Sequence, residues 1–177
     1  MTAKVREFEP SDAQAIALIY RDYLTELFNA TSSPLSADVI LREGQGKHFR
    51  IVLATDNANQ PVGFAFWRES YDFHNAVSGG EVPELFVAKP HRGRVLSLKM
   101  LAFIARKVME TGGKYLMAPV LMDNQKRTKL VRRMAVGFPL EHVYLSGRGM
   151  RMLASLTEVG AKEFVRRLPT PAMSREP

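Results

Sequence analysis

The sequence predicts a single α/β domain, and three observations carry that expectation. Short apolar runs alternate along the chain with stretches of helical periodicity, the pattern of a sheet flanked by helices. One junction, Glu81 to Thr111, joins a strand, a basic turn and a long helix without interruption. The 177 residues are 46% hydrophobic and 24% charged, enough apolar material to enclose a core in one domain.

The elements follow in order. Lys4 to Phe8 reads as a first strand. Ser11-Asp12-Ala13-Gln14 has the form of a capping box, so a helix is expected to follow it and to bury Ile16, Ile19, Tyr20, Tyr23, Leu24 and Leu27. After the polar loop Asn29 to Pro34, Ser36 caps a short second helix that stops near Gly44. Phe49 to Thr55 and Val62 to Tyr71 are strand patterns joined by the turn Asp56 to Pro61, which predicts an antiparallel hairpin. Asp72 to Gly80 reads as a loop ending in two glycines.

The pivotal strand comes next, with Val82, Leu85, Phe86, Val87 and Ala88 as its apolar run. The turn Lys89 to Arg94 carries Pro90, Gly93 and several cationic side chains. The helix from Val95 places Leu98, Leu101, Ala102, Ala105, Val108 and Met109 on one stripe, with Met100, Phe103 and Ile104 beside it. Gly112-Gly113 closes it, and Lys114 to Met122 is a further strand. Asn124 to Val136 reads as a helix, and Glu141 to Ser146 and Met150 to Ser155 as two short strands. Residues 1–156 thus form the main domain. Residues 157–177 add a helix striped by Ala161, Phe164, Val165 and Leu168, and a tail from Pro169.

Composition excludes several chemistries. Without cysteine there are no disulfides, thiolate metal sites or Cys nucleophile. The four histidines show no metal-ligand spacing, so no metal is expected. No apolar run reaches membrane-spanning length and the first ten residues lack a signal-peptide core. The expected setting is cytoplasmic, with no membrane partner. The net charge of +7 biases the chain towards anionic partners.

A strand feeding a basic turn and then a helix aims the free N–H groups of the helix's first turn at the loop, a geometry for binding phosphate. A solvent-facing basic turn is the plainer reading of the same residues. With its frame on Arg92-Gly93-Arg94-Val95-Leu96-Ser97, this stretch resembles the acetyl-CoA-binding motif of the GNAT superfamily of N-acetyltransferases, in which Gln/Arg-x-x-Gly-x-Gly/Ala follows the strand. Arg92 fits, whereas Val95 and Ser97 stand where the family prefers small residues. The element order from residue 4 to 155 is also similar to that family, as are Asn124 and the Gly137-Phe138 pair. The helix residue that is often a Tyr in the family is Val131 here.

The resemblance implies a mixed, mostly antiparallel sheet of about seven strands flanked by helices, plus the extra C-terminal helix. It implies acetyl-CoA as co-substrate, with Leu85, Phe86 and Val87 meeting the pantetheine arm and Val87 N–H as an oxyanion donor. Arg92, Gly93, Arg94, Val95, Leu96 and Ser97 would hold the pyrophosphate, and Asn124 would contact the cofactor. Glu84 and Glu81, at the start of the pivotal strand, are the candidate bases; a spacing of three puts them on opposite faces of a regular strand. Tyr144 is the candidate acid for a leaving thiolate. The acceptor would be a small-molecule or peptide amine, met by the loops Asn29 to Leu35 and Asp72 to Gly80.

Two other readings stay open. Val95, Ser97 and Val131 suit a GNAT-fold module without chemistry, a scaffold for a protein partner or a second copy of the chain. The basic run Lys126 to Arg133 suits an enzyme acting on nucleic acid, the CoA 3′-phosphate, or a solvated helix face.

Overall fold

The computed structural model describes residues 4–92 and 95–118. Among the described residues, five strands form one sheet in the order β1-β2-β3-β4-β5. They are β1 (Lys4–Glu7), β2 (Arg50–Thr55), β3 (Pro61–Asp72), β4 (Val77–Val87) and β5 (Leu116–Met117). The first three pairings are antiparallel and β4–β5 is parallel. This is the mixed, mostly antiparallel sheet expected. The helix from Asn124, the strands from Glu141 and Met150 and the C-terminal helix lie outside the described residues.

Alternation along the strands gives the sheet two apolar faces, because successive side chains point to opposite sides. Ile51, Leu53, Phe64, Phe66 and Phe86 pack under α1 (Ala13–Phe28) and α2 (Ala37–Glu43) with Ile16, Tyr23 and Ile40. Val52, Ala54, Ala65, Trp67, Val82 and Val87 pack under α3 (Leu96–Glu110). Both faces are covered, so the central strands read as nearly continuous apolar runs.

The buried stripe of α3 is Leu96, Met100, Ile104 and Val108, whereas Ala102 and Met109 are exposed. The helix is therefore rotated from the expected stripe. Its apolar residues occupy more than one face, and periodicity cannot choose between two apolar faces; the larger Met100 and Ile104 fill the sheet side. In α1 the expected Ile16 and Tyr23 are buried, but Leu27 is 40% exposed.

The Ser11 capping box does not form. A 3-10 turn, Pro10–Asp12, precedes α1, and Asp12 takes the structural role. Its carboxylate accepts from Arg6 at 2.7 and 2.8 Å and from Glu9 N–H at 2.8 Å. The Arg6 bonds hold its pKa below the ordinary Asp value against the opposing effect of burial. Ser36 does cap α2, accepting from Val39 N–H at 3.3 Å. α2 ends at Gly44, whose N–H donates to Ile40 O and where an added Cβ would lie 2.6 Å from that oxygen.

The expected loop from Asp72 to Gly80 is mostly strand. β3 runs to Asp72 and β4 starts at Val77, leaving a turn of 73–76 tied by Asp72 Oδ1 to His74 N–H and Asn75 N–H. Gly79 and Gly80 are strand residues whose missing side chains admit neighbours. A Cβ on Gly79 would sit 2.4 Å from the Tyr115 ring, and one on Gly80 would sit 2.6 Å from Val108 Cγ2. Glycine here serves close approach rather than turning.

Candidate active site

The site is built on β4. Phe66 pairs with Glu84 and Arg68 with Glu81, so β4 carries two residues, Val82 and Pro83, against the single Trp67 of β3. This is a β-bulge, placed where a proline could not donate to the ladder in any case. The extra residue reverses the expected facing of the two glutamates. Arg68 and Phe66 share a face of β3, so their partners Glu81 and Glu84 share the α1 face of β4. The spacing argument assumed a regular strand, and the bulge adds the residue that breaks it.

The two carboxylates then have different settings. Glu81 is paired with Arg68 at 2.7 Å. Glu84 is partly buried below α1, and the Tyr23 hydroxyl donates to its Oε2. Desolvation raises the Glu84 pKa above the ordinary carboxylate value, and the Tyr23 bond works against that rise. The Tyr23 phenol is itself shifted upward, by burial first and then by the bond to Glu84, so it stays protonated and remains a donor. Tyr23 is fixed by edge contacts with Phe64 and Phe86 at centroid distances of 5.8 and 5.5 Å. Tyr20 stacks on Phe66 at 5.6 Å, and its phenol too is raised by burial and by the charge of Glu84. Glu84 is thus a carboxylate in an apolar, aromatic surround with one oriented hydrogen bond.

Beyond Glu84, Leu85, Phe86 and Val87 pair with Ala65, Phe64 and Gly63. Ala88 N–H donates to Val62 O at 3.0 Å. Alternation then turns the backbone groups of Leu85 and Val87 away from β3 and towards the β5 edge. Among the described residues, β5 pairs with β4 at Gly80–Leu116 and Glu81–Met117. Leu85 and Val87 lie further along β4.

The basic turn starts as a 3-10 turn, Lys89–His91, closed by Arg92 N–H to Lys89 O at 3.2 Å. The Arg92 guanidinium does not extend freely. Its Nε donates to Val87 O at 2.7 Å, and its Nη atoms meet Glu26 of α1 at 2.7 and 2.8 Å. Val95 precedes α3 with φ of +53°, the left-handed conformation that suits glycine and strains a β-branched residue. The Val95 side chain is 57% exposed. Leu96 is buried in the α3 core and Ser97 is partly buried in the first turn. At the entry to α3 the left-handed backbone is of the kind glycine adopts without strain, and Val95 adds an exposed branched side chain there. Gly93, Arg94, Asn124 and Tyr144 lie outside the described residues.

Two residues of this site, Tyr23 and Glu26, had no functional reading from sequence. Tyr23 was legible as a buried helix position, but its partner is 61 residues away. Glu26 stands three residues on in the last turn of α1, and only the packing of α1 against β4 brings it to Arg92.

The sequence model of the acetyltransferase (GNAT) family matches residues 13–138, well over half of the chain. The chain belongs to the acetyltransferase (GNAT) family. The match takes in α1 through the basic turn and α3, the segment that holds Glu84 and Arg92. Solved structures share the fold. A ribosomal-protein-alanine N-acetyltransferase from Brucella melitensis biovar Abortus 2308 is 17% identical with a TM-score of 0.65, covering 82% of this chain and 99% of its own. An integron cassette protein from the mobile metagenome of V. cholerae is 14% identical with a TM-score of 0.70, covering 87% and 98%. An aminoglycoside acetyltransferase from an uncultured soil metagenomic sample, solved with trehalose, is 14% identical with a TM-score of 0.66, covering 81% and 95%. No curated protein matches the sequence. At these identities the neighbours show the fold alone.

Proposed function

We propose that this GNAT protein transfers an acetyl group from acetyl-CoA to an amine, with Glu84 as the general base. The observation that carries the reading is the setting of Glu84: a partly buried carboxylate with a raised pKa, oriented by Tyr23, on the same strand as the cofactor turn. An acceptor ammonium must lose a proton before it can act as a nucleophile, and a carboxylate accepts it best when its pKa approaches the working pH. Glu81 is the weaker candidate because Arg68 already neutralises it.

Acetyl-CoA supplies the acyl group as an activated thioester. The chain's part is to bind and orient. Leu85 and Val87 offer backbone groups along the β5 edge, with Val87 N–H as donor to the carbonyl oxygen as charge develops. The turn from Lys89 and the first turn of α3 face the phosphates with cationic side chains and free N–H groups. The acceptor is a small-molecule or peptide amine, by analogy with the aminoglycoside and ribosomal-protein-alanine acetyltransferases of the same fold.

A second reading has its own observation. Val95 holds a left-handed conformation with a branched side chain, which suits a GNAT fold that has given up the cofactor for a scaffold role. Calorimetric titration with acetyl-CoA separates the two. Binding at micromolar levels followed by turnover against an amine panel supports the enzyme, and Glu84→Gln should then lower kcat about 10²–10⁴-fold with the Kd for acetyl-CoA little changed. A folded wild type that does not bind acetyl-CoA sinks the enzyme reading.

A further inference from the structure

We propose that Glu26 is a positioning residue for the cofactor turn: it holds Arg92 as a brace between α1 and the end of β4, instead of leaving that guanidinium to the phosphates. The inference rests on the acetyl-CoA reading above and deepens it.

Every nitrogen of the Arg92 guanidinium has a partner. Nη1 and Nη2 meet the two oxygens of Glu26 at 2.7 and 2.8 Å, the side-by-side fork of a bidentate pair. Nε donates to Val87 O at 2.7 Å, and the group lies 5.2 Å over the Phe86 ring. Through its backbone N–H the same residue closes the Lys89–His91 turn. Arg92 therefore ties together the last turn of α1, the last residue of β4 and the turn that leads to α3.

Charge favours keeping it there. If Arg92 swung towards a pyrophosphate, the Glu26 carboxylate would be left without its cation beside an incoming polyanion. The bond to Arg92 already holds the Glu26 pKa below its ordinary value, so the carboxylate is charged at neutral pH. The low-cost arrangement keeps the pair intact and meets phosphate with the turn's backbone and its remaining cations. Glu26 then acts at one remove, by fixing the turn that binds.

The test is a double-mutant cycle of Glu26→Gln, Arg92→Lys and both together, with acetyl-CoA Kd measured by calorimetry well below each melting transition. Arg92→Lys keeps the charge and loses the fork. Each single substitution should raise Kd roughly tenfold and the double should be no worse than the worse single, because both remove one brace. Glu26→Gln binding acetyl-CoA as tightly as wild type, or more tightly, overturns the proposal, as does additivity in the double variant. Lower melting temperatures with an unchanged Kd also overturn it, since a merely structural pair would behave so. A wild type that does not bind acetyl-CoA counts against the donor assignment instead. Coupled melting shifts across the same four proteins would then mark the pair as a structural brace with no role towards the cofactor and overturn the proposal, and additive shifts would sink the brace itself.

Discussion

Tyr23 and Glu84 are a pair in which burial shifts both groups upward first, and the hydrogen bond between them then shifts Tyr23 further up and Glu84 down. Tyr23 donates to Glu84 Oε2 and so stabilises the carboxylate form, partly offsetting the burial that raises its pKa. Removing the hydroxyl with Tyr23→Phe leaves burial unopposed, and the Glu84 pKa rises further. A base must be unprotonated to act, so the acid limb of the kcat/KM profile should move to higher pH in this variant, with the loss of rate larger at pH 6 than at pH 8. A limb that stays in place would show that Glu84 is not the group titrating. Stability carries the opposite sign. The folded Glu84 pKa lies above its unfolded value, so the folded chain binds more protons between the two and is stabilised as pH falls through the folded pKa. Glu84→Gln should therefore raise the melting temperature at pH 7–8, with the gain shrinking towards pH 4. The pairing itself was not legible in sequence: Tyr23 looked like core, and nothing local joins it to residue 84.

At the scale of elements, the bulge in β4 and the entry to α3 decide the site. The bulge places Glu81 and Glu84 on one face, which a regular strand would have prevented. Pro83 was the signal for it, since a proline inside a strand is tolerated at edges and bulges. At α3, Val95 adopts φ +53°. A left-handed L-residue costs about 1–2 kcal/mol, and glycine returns roughly 0.5–1 kcal/mol of that through its extra freedom in the unfolded chain. Val95→Gly should therefore stabilise the protein by up to about 1.5 kcal/mol and tighten acetyl-CoA binding by removing the side chain from the phosphate approach. A destabilised Val95→Gly with unchanged affinity would refute the assignment of this residue to the cradle. The motif's departure from the family at this position was visible in sequence, but its backbone conformation was not.

Across the described fold, the sheet carries a core on each face, and β4 joins them. Phe86 belongs to the α1 side, Val82 and Val87 to the α3 side. Gly80 sets how closely α3 can lie against β4, because its missing Cβ leaves room for Val108. Gly80→Ala should cost about 1–3 kcal/mol by overpacking this contact, read as a lower denaturant midpoint. It should leave the acid limb of any pH profile unchanged, since Glu84 lies on the opposite face. A neutral Gly80→Ala would mean that α3 can shift without loss.

Among the described residues, the sequence by itself determined the order of the strands and helices from β1 to α3, the cap at Ser36, the end of α2 at Gly44, and the strand–turn–helix that marks the family. Those features rest on periodicity, capping and turn chemistry, which act over a few neighbouring residues. Tertiary structure alone decided the face that α3 buries, the shared facing of Glu81 and Glu84, and the pairs Tyr23–Glu84 and Glu26–Arg92. Each of these depends on contacts between residues far apart in the chain. The rotation of a helix with two apolar faces, or the register of a bulged strand, is fixed only when the opposing surface is in place to choose between alternatives of nearly equal local energy.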